Sequence, residues 1–267
     1  MQNLFFVNSF SDRPFGGNPA AVCVLESPAS DSWMKLVARE MNLSETAFVA
    51  REGDDWRLRW FTPTTEVDLC GHATLATAFV LWERKLVSPD DAIHFQTRSG
   101  QLICRQNGPA IEMDFPVKPV SKLDAPYELD DILGCSAGEQ VMVLDDLLVE
   151  VANADVLRSL KLDFAKMSKL PVRGVIVTCQ DDNGKFDFLS RFFAPAVGVN
   201  EDPVTGSAHC GLAPYWAEKL QKNHLRAWQA SERGGAVTCT LKGDRVVLSG
   251  TAIMMSEVHL LHGPAGF

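Results

Sequence analysis

RWFTPTTEVDLCG (residues 59–71) and RFFAPAVGVNEDPVTG (residues 191–206) are two versions of one segment. Each runs straight into a small-residue, apolar stretch, GHATLATAFVLW (residues 71–82) and GSAHCGLAPYW (residues 206–216). Arg59 aligns with Arg191, Phe61 with Phe193, Pro63 with Pro195 and Gly71 with Gly206; the offset grows from 132 to 135 because the second copy carries three extra residues. A period this long exceeds any solenoid repeat and nearly halves a chain of 267 residues, so it predicts two related domains sharing a ligand site between them. The first apolar stretch has no fully charged side chain before Glu83 and no polar face, so the helix it forms must be buried on all sides, at a domain centre.

Outward from this repeat, composition narrows the function. Hydrophobic residues at 46% and charged residues at 22% suit a globular chain with a sizeable core. The formal net charge is −9 and no Lys/Arg-rich run occurs, which argues against nucleic acid as a partner. Seven cysteines form no CxxC pair and are odd in number, so neither a disulfide framework nor a zinc site is expected, and a reducing cytoplasm fits best. MQNLFFVNSFSDR has no basic leader, and no stretch approaches about 18 uninterrupted apolar residues, so neither export nor a membrane span is expected.

Strands are expected at residues 4–10 and 20–25, then a helix over residues 32–41 capped by Asp31, with Met34, Val37, Ala38 and Met41 on one face. Further strands follow at residues 46–50 and 56–61, and three more between 92 and 116. Pro116, Pro119 and Pro126 mark the most linker-like stretch. The second half repeats the plan. Its central helix starts near Thr205, and Pro214 should kink or shorten it. The last strand, residues 256–261, completes either half.

The two helix starts, CGHA at residues 70–73 and TGSA at residues 205–208, offer unpaired amides and the positive ends of helix dipoles, suited to a small anion such as a carboxylate. Glu45, in NLSETAF, sits among short or apolar neighbours, where desolvation raises a carboxyl towards the range of a general acid/base. His72 and Asp202 adjoin the helix starts. The six histidines show no HxxxH or HExxH spacing, so no metal is expected. No GxGxxG or Walker-type loop is present, and GCSAG at residues 134–138 follows a helix-like ELDDIL rather than a strand. The chemistry is therefore expected to need no cofactor and no serine nucleophile.

FSDRPFGGNPAAV (residues 10–22), MNLSETAFV (41–49), FTPTTEVDLCGHATLATA (61–78) and FFAPAVGVNEDPVTGSAHCGLAPYW (192–216) together strongly resemble the phenazine-biosynthesis isomerase (PhzF-like) family, over essentially the whole chain. The resemblance implies an α+β fold like that of diaminopimelate epimerase. It has two pseudo-symmetric domains, each a β-barrel-like sheet wrapped around a central helix: residues 1–117 with a returning last strand (255–267), and residues 118–254. It implies Glu45 as the acid/base in the cleft, with His72, Asp202 and Ser207 as its catalytic partners. Asn18, Cys70, Gly71, Thr205 and Gly206 would bind the substrate, a small carboxylic acid, in a homodimer.

Related epimerases use two thiols, one from each helix start. Here Cys70 occupies the first position but Thr205 the second, and a threonine hydroxyl is far too weak a base to replace a thiolate. Cys210 lies more than one helical turn further on. The expected activity is thus an isomerase that moves a proton and a double bond through Glu45. An epimerase or racemase pairing Glu45 with Cys70 is the alternative enzyme, and a non-catalytic small-molecule sensor or interaction protein on the same scaffold is the other class.

Overall fold

A computed structural model describes residues 2–264, so Met1 and the last three residues of the expected 255–267 segment lie outside the described residues. The chain divides into two compact units, Met1–Asp114 with Ser249–Phe267, and Phe115–Leu248.

The first unit contains β1 (Gln2–Ser9), β2 (Asn18–Leu25), α1 (Asp31–Met41), β3 (Thr46–Glu52), β4 (Asp55–Phe61), β5 (Glu66–Val67), α2 (Gly71–Glu83), β6 (Ile93–Thr97) and β7 (Gly100–Asn107). In β8 (Ala110–Pro116) the chain leaves the unit. β2 runs parallel to β3, β3 antiparallel to β4, and β4 parallel to β6. β1 pairs antiparallel with β2 on one side and on the other with the chain's closing strand, Ala252–Leu260. α2 packs on β1, β2, β3 and that closing strand. Almost the whole of α2 is buried, as its missing polar face requires. Thr74 and Thr77 tolerate this because their hydroxyls donate to carbonyls one turn back, of Cys70 at 2.6 Å and Ala73 at 2.7 Å. Fully buried Leu75, Val80 and Leu81 each contribute on the order of 2 kcal/mol of hydrophobic stabilisation.

α1 lies on the other side of the same strands, burying Trp33, Met34, Val37 and Ala38 against Phe48 and Phe61. Its N-cap is Ser30, whose hydroxyl accepts from the Trp33 amide, rather than Asp31. Asp31 is the first helical residue, where its charge suits the dipole.

The second unit holds β9 (Val120–Lys122), α3 (Asp130–Leu133), β10 (Gln140–Val143), β11 (Asp146–Glu150), α4 (Ala154–Arg158), α5 (Phe164–Met167), β12 (Gly174–Gln180) and β13 (Phe188–Ala194). A 3₁₀ turn (Pro195–Val197), β14 (Val199–Asp202), α6 (Gly206–Leu220), β15 (His224–Gln229), β16 (Gly235–Lys242) and β17 (Arg245–Gly250) follow, and the closing strand is β18. The strand plan of the first unit recurs: β11 parallel to β12, β12 antiparallel to β13, β13 parallel to β15.

The echo also extends to side chains. Arg59 makes a two-pronged bond to Glu66 (2.7 Å each) and lies over Phe61, while Arg191 does the same to Glu201 (2.8 and 2.9 Å) and lies over Phe193.

Three further features depart from the sequence expectations. The proline-rich stretch is not a bare linker, because β9 forms in it and pairs with β10. The last strand starts at Ala252, four residues early. α6 runs unbroken through Pro214. The carbonyl that Pro214 leaves without its helical donor is that of Cys210, and it accepts from the Lys118 amide at 3.0 Å. Gly211 serves the same helix by contact, since a Cβ there would meet Val143 Cγ1 at 2.0 Å.

Candidate active site

In the first unit, β3 is preceded by Glu45 and α2 starts at Gly71, so parallel pairing of β2 with β3 brings Asn18, Glu45, Cys70 and His72 together. The Glu45 carboxylate, 19% exposed, lies with Oε2 3.3 Å from Nε2 of His72. The His72 ring is 5% exposed. Its Nδ1 is 3.1 Å from Asn18 Nδ2, and Cys70 Sγ lies 3.6 Å from Nδ1 and 4.0 Å from Nε2. Burial lowers the imidazole pKa to about 3, so His72 is neutral near pH 7 and its contact with Glu45 is a hydrogen bond rather than an ion pair. The donor atoms of Glu45, Cys70 and His72 all lie within 4.8 Å of one another, close enough to relay a proton or to surround a small cation.

Cys70 is the N-cap of α2 in extended conformation with no side-chain cap bond, which leaves the first amides of the helix, from Gly71 onward, without intrahelical partners. Ser9 Oγ donates to the His72 carbonyl at 2.7 Å and pins this helix start to β1. Asn18 is the first residue of β2, pairs with Ser9 across the strands, and is fully buried, with its amide turned to the His72 ring.

The second unit builds its own helix start from hydroxyls. Thr205 is the extended N-cap of α6; its Oγ1 donates to Asp202 Oδ2 at 2.5 Å and its amide donates to Gln229 Oε1 at 2.8 Å. Gln229 Nε2 in turn donates to the Asp202 carbonyl at 2.7 Å. Gly206 and Ser207 open the helix, and Arg173 reaches Ser207 Oγ at 3.5 Å while gripping the buried carboxylate of Asp146. Gln229, Arg173 and Asp146 were not legible as site residues. Their only trace in the sequence is a polar residue at the edge of an apolar strand run, which is common.

The structure therefore brings Asn18, Glu45, Cys70, Gly71 and His72 into one group, and Asp202, Thr205, Gly206 and Ser207 into another. Comparison with known proteins gives these groups a family. Residues 7–258 match the model of the PhzC-PhzF family, phenazine biosynthesis-like protein, and the chain belongs to that family. An uncharacterised isomerase of Halalkalibacterium halodurans is 49% identical over 97% of this chain and 98% of its own length. The crystal structure of a PhzF-family phenazine biosynthesis protein of Enterococcus faecalis superposes with a TM-score of 0.92 at 40% identity, covering 97% of this chain and 99% of that one. A probable proline racemase of Agrobacterium radiobacter shares the fold at a TM-score of 0.66, with 12% identity over 100% of this chain and 94% of that one. The fold is thus the two-domain α+β fold of the epimerases, and the protein is an enzyme of the isomerase class. Among the described residues no helix is long and apolar enough to cross a membrane.

Proposed function

We propose that the protein is a cofactor-independent isomerase whose single acid/base is Glu45. The Glu45 carboxylate takes a proton from a C–H next to a double bond of a small carboxylic acid. The C–H electron pair forms a new double bond while the old one shifts, and Glu45 returns the same proton to the far carbon on the same face. The observation that carries this reading is a largely buried carboxylate 3.3 Å from a neutral imidazole at the start of a buried helix. His72, Asp202 and Ser207 orient the substrate and stabilise charge as the proton leaves, a contribution that fixed donors in a dry site make several kcal/mol large. The free amides at the start of α2 bind its carboxylate.

The spacing of the thiol supports a single base over a Glu45–Cys70 pair. Two bases on opposite faces of a carbon, each at roughly 3–3.5 Å, stand roughly 6–7 Å apart. Glu45 and Cys70 offer their atoms within 4.8 Å of each other.

Glu45→Gln is expected to lower turnover by at least ~10²-fold, the low end of general acid/base catalysis, with the melting temperature nearly unchanged. Unchanged turnover sinks the reading. Blocking Cys70 with a small alkylating reagent separates the alternatives: full loss of activity that substrate protects against would favour the thiol pair.

A further inference from the structure

Asn18 and Glu45 make opposite demands on the two ring nitrogens of His72, with Cys70 Sγ at 3.6 Å from Nδ1 and 4.0 Å from Nε2, and the neutral ring has a single proton to share. A neutral imidazole presents one N–H donor and one lone pair. With the proton on Nδ1, that N–H meets the Asn18 NH₂ group at 3.1 Å, and the bare Nε2 lone pair meets a Glu45 oxygen at 3.3 Å. Both contacts are then repulsive. With the proton on Nε2, Asn18 donates to Nδ1 and Nε2–H donates to Glu45, and both are satisfied. Turning the Asn18 amide over rescues only the first contact of the Nδ1–H form, because the Nε2 lone pair still faces the carboxylate. Of the two tautomers, only the Nε2–H form satisfies both the Asn18 and the Glu45 contacts.

The local architecture holds Asn18 in this role. Gly17, in the left-handed region with φ +65°, turns the chain back so tightly that a Cβ would stand 2.1 Å from the Ser9 carbonyl oxygen. Asn18 thereby enters β2 opposite Ser9, fully buried, while Ser9 Oγ holds the His72 backbone. One β1–β2 hairpin thus grips His72 twice, by its carbonyl and by its ring. We propose that Asn18 is a positioning residue that fixes His72 in the Nε2–H tautomer and so makes it a standing hydrogen-bond donor to the Glu45 carboxylate. The donor keeps the Glu45 carboxylate oriented before the reaction. Asn18 itself exchanges no proton with substrate. The inference rests on the Glu45 reading for its purpose, but its geometry stands in the resting protein.

The test needs no substrate. Long-range ¹⁵N–¹H NMR of protein labelled in its histidines reports which ring nitrogen bears the proton, the His72 signals being those absent from His72→Gln. Wild type is expected to show a bare Nδ1 and a protonated Nε2. Asn18→Asp, which can only accept at that position, is expected to place a proton on Nδ1, and to slow proton exchange into carboxylic acids at least ~10-fold. A wild-type ring protonated on Nδ1 overturns the proposal even if the variant fails to fold. An Asn18→Asp ring with Nδ1 still bare also overturns it. Exchange that survives in Glu45→Gln while the wild-type tautomer is Nε2–H would instead overturn the Glu45 reading and leave the tautomer lock intact.

Discussion

At the scale of single residues, the two buried imidazoles carry a pH dependence of known sign. Burial lowers the pKa of His72 to about 3 and of His209 to about 4, against the 6.5 of a free imidazole. The Nδ1 of His209 sits 2.8 Å from the Thr205 carbonyl, and its Nε2 is buried without a hydrogen-bond partner, so a charged ring would be poorly solvated. The unfolded chain therefore binds a proton at each ring from about pH 6.5 downward, while the folded chain refuses it until about pH 4 at His209 and pH 3 at His72. Stability present above pH 6.5 is lost as pH falls through this window, at roughly 1 kcal/mol per pH unit for each ring. His209→Gln is expected to remove one of the two contributions. Its deficit against wild type, read from urea midpoints, should shrink between pH 6.5 and 4.5, and a constant deficit would show that His209 is not held neutral. Cys70 and His72 were candidates from the chain because they flank a repeated helix start, and Glu45 because it sits among short or apolar residues just ahead of an apolar strand. The contact of Asn18 with His72 was not, since it joins residues 54 apart and exists only once the β1–β2 hairpin closes. The clasp of Gln229 on Thr205, 24 residues away, was hidden for the same reason.

At the scale of elements, α6 shows why local rules mislead inside a packed domain. Gly211 and Pro214 both weaken an isolated helix, so a kinked or shortened one was the proper expectation. Each is offset by a partner distant in sequence: the Lys118 amide takes the carbonyl that Pro214 orphans, and Val143 occupies the space that a side chain at 211 would need. Gly211→Ala, although it raises helix propensity, is therefore expected to destabilise by about 1–3 kcal/mol through overpacking. Adding Val143→Ala should recover part of that loss in the double variant. Additive losses in a double-mutant cycle would mean that the two sites do not touch. α2, by contrast, was legible end to end, because a stretch without any polar face has a single stable environment.

At the scale of the whole molecule, duplication is the organising fact, visible in strand order and in the Arg59–Glu66 and Arg191–Glu201 pairs alike. The copies have diverged at their helix starts into thiol and imidazole in the first and hydroxyls in the second, an asymmetry in keeping with the proposed single base. β18 lies beside β1, with Gln2 opposite Leu260, so the first and last strands meet in one antiparallel pair. A circular permutant that joins the ends by a short flexible linker and opens the β7–β8 turn at Gly108–Pro109 is expected to fold and keep its activity. Loss of cooperative unfolding in that permutant would contradict the closing role of β18. The proton-transfer claim meets its most direct test in deuterated water. A panel of small amino and dihydroxylated ring carboxylic acids is incubated with the wild type and with Glu45→Gln, and the C–H signals are followed by NMR. Exchange or double-bond migration in the wild type that disappears in Glu45→Gln is the predicted result. Exchange that persists in the variant, or none with any acid that binds, would contradict a Glu45 isomerase.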